Sequence, residues 1–148
     1  MKLESLHVDG FGHYHNHDLN NLSPKLTVFL GNNEAGKSTL LAFIRNILFG
    51  FPDGRSKENP YPPLAGGRHG GRLKVVDANG MRYTVARHAG KGLGPVTVEP
   101  EGQAQIAGEQ ALRGLLGQAG RGLFHNVFAF SLNELQQFDT LEDDEVRS

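Results

Sequence analysis

The 148-residue chain has no cysteine, which excludes disulfides and thiolate metal sites and removes any need for an oxidising compartment. It has no apolar run of the roughly 18 residues that a membrane-spanning helix requires. Its opening, Met1-Lys2-Leu3-Glu4, is interrupted by charge at once, unlike the apolar stretch of a secretory leader, and a cytoplasmic protein is expected. No internal repeat stands out along the chain. Net charge is small too, at -1, so the total balance is no argument for a polyanionic partner.

The distribution of charge and of turn residues is more informative. Residues 1–52 balance four Lys/Arg with four Asp/Glu, residues 53–91 carry eight basic against three acidic, and residues 92–148 carry three against nine. The middle stretch is a candidate for polyanion contact, although a solvated basic face is an ordinary surface feature. Twenty glycines imply many turns or close backbone approaches, and four of the seven prolines fall between Pro52 and Pro63. The span Phe51–Gly71 is therefore expected as an extended surface loop.

Around it, hydrophobic spacing predicts an α/β domain. Leu6 and Val8 alternate with His7 and Asp9 over a strand at 2–9 that ends at Gly10, and His13–Asn21 is polar with weak structural signals. Lys25–Leu30 reads as a short buried strand. Leu40, Leu41, Ile44, Ile47 and Leu48 predict a helix from Lys37 to about Phe49, stopped by Gly50. Residues 72–87 predict a hairpin with a two-residue Asn79-Gly80 turn. Val96–Val98 reads as a further strand and Gly108–Ala119 as a helix, with Gly114 and Gly117 costing roughly 1 kcal/mol each. For 122–130 helix and strand are equally open. Asp139–Ser148 is acidic, with few apolar anchors.

Between the predicted strand and helix lies Gly31-Asn32-Asn33-Glu34-Ala35-Gly36-Lys37-Ser38-Thr39, which fits G-x-x-x-x-G-K-[ST] at each fixed position. The glycines let the backbone approach closely, so that amides from Asn32 to Gly36 can surround phosphate oxygens. The helix N-terminus adds donors and a favourable dipole. Lys37 is placed to reach the β- and γ-phosphates, the Ser38 hydroxyl to ligate Mg²⁺, and Thr39 to make a weaker phosphate contact. The loop alone distinguishes neither ATP from GTP nor binding from hydrolysis. Hydrolysis also needs a carboxylate to hold Mg²⁺ or orient water, and no apolar strand with an acidic end follows the helix. Val75-Val76-Asp77 comes nearest, but Asn79-Gly80 makes Asp77 a turn residue first and a metal ligand second. His13, His15 and His17 alternate and could share a strand face around a metal; a polar exposed loop near the nucleotide is the plainer reading. Arg68 and His69, amid glycines, are candidates for nucleotide or nucleic-acid contact.

The wording of this loop, with Leu3–Gly12, Tyr61–Gly71 (Tyr-Pro-Pro-Leu-Ala-Gly-Gly-Arg-His-Gly-Gly) and Phe128–Leu135 (Phe-Ala-Phe-Ser-Leu-Asn-Glu-Leu), resembles the N-terminal ATPase segment of YhaN-like proteins, within the SMC, SbcC and ABC-type P-loop ATPases. The resemblance spans essentially the whole chain. It implies the N-terminal lobe of an ABC/SMC-type head over 1–138, with a mixed sheet around the P-loop helix and an antiparallel hairpin. Residues 139–148 would then be a truncated connection or the start of a coiled coil. It further implies ATP and Mg²⁺ as ligands, a missing C-terminal lobe and a second head as partners, nonspecific DNA contact in repair or end processing, and a partner nuclease. Turnover would belong to the complete protein, with this lobe alone slow or inactive. The family's sensor glutamine falls near Phe130–Leu135, where Asn133 is the favoured substitute over Ser131 and Gln136. Two other readings stay open on the residues alone: a nucleotide-controlled interaction module without useful turnover, and a small-molecule kinase, for which no lid or acceptor site is visible.

Overall fold

Leu6 and Val8 are buried, whereas His7 and Asp9 between them are only partly covered, the two-residue period of a strand with one face on a core. In the computed structural model, which describes residues 1–25, 27–29 and 36–117, this strand is β1 (Lys2–Phe11). It is followed by β2 (Tyr14–Leu19), α1 (Lys37–Phe49), β3 (Gly70–Val76), β4 (Arg82–His88), β5 (Val96–Pro100), β6 (Ile106–Ala107) and α2 (Glu109–Leu116). The strands form one sheet in the order β2-β1-β3-β4-β5-β6.

Every pairing within this sheet is antiparallel, so among the described residues the expected mixed sheet is an antiparallel one with a single parallel bridge, Gly10 to His69. Short returns dictate this for β1–β2, β3–β4, β4–β5 and β5–β6, since parallel neighbours need a crossover connection; β1 meets the distant β3 antiparallel as well. The segment expected to supply a buried strand before the loop is not one at 25 and 27–29, where Val28 is 64% and Phe29 40% exposed. Leu26 and Leu30 lie outside the described residues.

Register builds the core in rows. Leu6, Leu73, Val85 and Val98 pair in sequence across four strands, and all four are buried. Helix α1 lies on this face against β3 and β4, with Leu40, Phe43 and Ile47 on its buried side. Each such side chain contributes about 1.5–3 kcal/mol on leaving water. The expected Leu41 and Ile44 are only partly covered, and Phe43 takes the central place, its ring edge-on to Phe11 at 5.5 Å. The buried row Val8, Gly71, Arg87 and Val96 contains a cation. Arg87 donates from Nε to the Ile47 carbonyl (2.9 Å), from Nη1 to the Gly94 carbonyl (3.0 Å), and from both terminal nitrogens to the Glu109 carboxylate. It thereby ties the last turn of α1 to the β4–β5 connection and the first turn of α2.

Three local expectations are corrected. β1 runs through Gly10, because glycine there admits a crossing backbone; an added Cβ would lie 2.7 Å from the Gly66 carbonyl oxygen. The polar His13–Asn21 stretch contains β2, held by pairing with β1. The hairpin turn spans Asp77–Met81, longer than two residues, because the Asp77 carboxylate accepts the amides of Asn79 (2.8 Å) and Met81 (3.0 Å). The 51–69 loop is irregular as expected, yet anchored: Gly12 donates to the Tyr61 carbonyl, Leu64 to that of Gly12, and Tyr61 stacks on Phe11 at 5.3 Å. Helix α2 is shorter than expected, flanked by Gly108 and Gly117.

Candidate functional site

The N-terminal end of α1 is built around Gly36, the buried residue that precedes the helix with φ 85° and ψ 18°, a left-handed conformation glycine adopts without steric cost. The Leu40 amide donates to the Gly36 carbonyl at 2.9 Å, starting the helical ladder. Among the described residues no side chain caps this end, and its first turn holds no acidic residue. Lys37 and Ser38 are exposed, and Thr39 is partly covered. A positive helix terminus, a cation and a hydroxyl are thus presented together, the donor set that fits phosphate and a phosphate-bound divalent cation.

The turn between β1 and β2 forms the wall beside it. Tyr14 donates its hydroxyl to the Gly36 carbonyl at 3.2 Å, and burial raises its pKa, keeping the phenol a donor at neutral pH. His13 stacks on Tyr14 at 4.3 Å, and Tyr14 meets His17 at 5.1 Å. A Cβ on Gly36 would lie 2.3 Å from His13 Cε1 and 2.8 Å from the Tyr14 hydroxyl. The expected polar loop near the nucleotide includes His13, whereas Tyr14 carried no signal of its own in the sequence.

Of the residues expected at the site, Gly36, Lys37, Ser38 and Thr39 are adjacent at the helix start. Asn32, Asn33, Glu34 and Ala35, and the sensor candidates Ser131, Asn133 and Gln136, lie outside the described residues. Arg68 is exposed, whereas the His69 ring packs against Phe11 (5.5 Å) and edge-on to Phe51 (4.8 Å), with Nε2 buried. Burial lowers the His69 pKa, opposed in part by the Pro60 and Tyr61 carbonyls, so its ring is a neutral packing group. Asp77 is the turn residue described above, and its other oxygen accepts the Tyr83 hydroxyl at 3.2 Å.

The alternating histidines do not share a face, because Asn16 takes φ 46° between them. His13 lies on Gly36, His15 contacts the Gly66 carbonyl at 3.0 Å and His17 lies on Tyr14, and no metal-holding cluster occurs among the described residues. The basic excess of 53–91 is also divided. Arg87 is buried on Glu109, Arg82 pairs with Glu4 at 3.0 Å, and Arg72 shares the open sheet face with Asp9 and Asp18.

An α/β sheet-and-helix fold with a Gly-Lys-Ser-Thr helix start defines a P-loop NTPase-like domain. Residues 1–139 match the family described as the AAA domain, and the chain belongs to this family of P-loop ATPase domains. It is similar, at 28% identity over 147 residues, to the uncharacterized protein YhaN of Bacillus subtilis (strain 168). That similarity covers 99% of this chain and 14% of YhaN. Among the described residues no helix is long and apolar enough to cross a membrane.

Proposed function

We propose that the chain is the ATP-binding N-terminal lobe of a larger SMC- or ABC-like ATPase. The observation that carries this reading is the start of α1, where the left-handed Gly36 leads directly into Lys37, Ser38 and Thr39, with Lys37 and Ser38 exposed. In this reading the amides of Asn32 through Gly36 cradle phosphate oxygens, and Lys37 neutralises the β- and γ-phosphates. Ser38 would hold Mg²⁺, which would supply charge neutralisation to the bound phosphates. The Tyr14–Gly36 hydrogen bond holds the loop's end in place.

Turnover is assigned to the complete protein. Asp77, at the end of β3, spends its carboxylate on its own turn and on Tyr83. The chain's small share of its relative's length favours a water-activating carboxylate supplied elsewhere, by a C-terminal lobe and a second head. Asn133 as sensor, Arg68 as a nucleotide or nucleic-acid contact, a coiled coil from about residue 139, nonspecific DNA binding in repair or end processing, and a nuclease partner belong to the same proposal. The competing reading, nucleotide-controlled assembly without useful turnover, rests on the same engagement of Asp77.

Calorimetry with ATP and Mg²⁺ on the chain and on Lys37→Ala tests binding, with turnover measured with and without the remainder of the protein. The expected result is Mg²⁺-dependent binding that the variant loses, with hydrolysis appearing only in the complete protein. Absence of binding at millimolar ATP would sink the assignment. Rapid Lys37-dependent turnover by the 148-residue chain alone would sink the division of labour, and a complete protein that binds without turnover would favour the assembly reading.

A further inference from the structure

On the sheet face away from α1, four side chains from three strands are linked end to end. His88 Nε2 of β4 lies 2.6 Å from Asp9 Oδ2 of β1, Asp9 Oδ1 lies 3.1 Å from His7 Nε2, and His7 Nδ1 lies 2.6 Å from Asp18 Oδ1 of β2. The His7 side chain is only 13% exposed, whereas that of Asp18 is 55% exposed. Both ring nitrogens of His7 therefore face carboxylate oxygens, which accept hydrogen bonds and do not donate them. A neutral imidazole has one N–H and can satisfy one carboxylate; only the imidazolium can donate to both.

We propose that His7 is a proton-dependent clasp: as the imidazolium it fastens β2 to β1 through Asp18 while bracing Asp9 against His88, and on deprotonation it releases Asp18. Asp18 is the partner to leave, because its exposed carboxylate rehydrates readily, whereas Asp9 keeps the His88 donor. The surrounding charges agree with this assignment. Arg72 of β3 pairs with His7 in register and acts on Asp18, as does His17 of β2, while His88 acts on His69. Arg72 adds a cation beside the carboxylates of Asp9 and Asp18; loss of the His7 proton removes one positive charge from the cluster and leaves a lone pair facing an oxygen. The hairpin so fastened carries His13 and Tyr14, which wall the start of α1. Protonation on one face thus reaches the candidate nucleotide site through a single pair of strands; this last link rests on the function proposed above.

The test follows the ring nitrogens of His7 by ¹⁵N NMR in the 148-residue chain, with amide exchange protection in β2, between about pH 6 and pH 8, the range in which histidine changes charge. Wild-type His7 is expected to carry two N–H groups at the lower pH. After correction for intrinsic exchange, β2 protection should fall roughly two- to fivefold on deprotonation, as suits a partly exposed pair. In Asp18→Asn this fall should vanish; comparing the two proteins at each pH removes the contribution of His69, which titrates in both. A singly protonated His7 at the lower pH, or an equal fall in the variant, overturns the clasp. Should the variant not fold, the wild-type ring spectrum decides alone. Affinity for ATP with Mg²⁺ should weaken at the higher pH more in wild type than in the variant. If ATP does not bind at all, the nucleotide reading fails and the ring spectrum still decides the clasp.

Discussion

Gly36 carries two constraints at once, a left-handed backbone and a neighbour too close for any side chain. Gly36→Ala should cost about 1–2 kcal/mol for the conformation alone, and His13 must also move. A lowered melting temperature and an about tenfold weaker affinity for ATP with Mg²⁺ are expected, checked by thermal unfolding and calorimetry on the same preparation. His69 makes a prediction of opposite character. Its pKa is lowered by burial, so below the ordinary histidine value of about 6.5 the unfolded chain binds a proton that the folded chain refuses. The stability it contributes is therefore present above that value and lost as pH falls toward the folded pKa. Urea unfolding between about pH 7 and pH 5 should show this decline in wild type and less of it in His69→Phe, which keeps the ring packing. The placement of Gly36, Lys37 and Ser38 at a helix start was legible in the sequence because a glycine directly before a stripe of helical spacing marks where the helix begins. Tyr14 and Arg87 were not, because what they touch depends on how strands far apart in the chain come into register.

Among the elements, α1 was read to within a residue because its apolar stripe has helical spacing and Gly50 ends it. β2 was missed because Asn16 breaks the alternation, and its pairing with β1 supplies what local pattern does not. The strand expected at 25–30 was an inference from apolarity, which marks burial only where a neighbour exists to provide it. Arg87 is the bolt between elements. Arg87→Met should destabilise the fold by about 2–3 kcal/mol, below the full penalty for an orphaned buried charge because Glu109 is 38% exposed and can rehydrate. A drop of roughly 5–10 °C in melting temperature is the measurable form for a chain of this size. Asp77→Ala, by contrast, removes acceptors from the β3–β4 turn and should cost on the order of 1 kcal/mol. Its Mg²⁺-dependent ATP binding should stay unchanged; a clear loss of Mg²⁺ dependence would return Asp77 to the list of metal ligands.

At the scale of the molecule, the antiparallel β3–β4 hairpin and the α1 stripe were legible, while the antiparallel pairing of the whole sheet and its strand order were not, because β1 joins β2 to the distant β3. The open face is mixed in charge, so any DNA contact by the complete protein should be nonspecific and weaken steeply with salt. Filter binding at several salt concentrations checks this, and a sequence preference that persists at high salt would contradict it. The topology also imposes an order of events during synthesis. Helix α1 packs on β3 and β4, and both follow it in the chain. When the helix first leaves the ribosome, the β1–β2 hairpin can already meet its start, but the floor on which Phe43 and Ile47 rest has not been made. Short helices without such a floor are marginal in water. The lobe therefore matures late, once residues through His88 have emerged and the long loop from 51 to 69 has closed. A nascent chain arrested before that point should leave the start of α1 unformed, whatever ligand surrounds it.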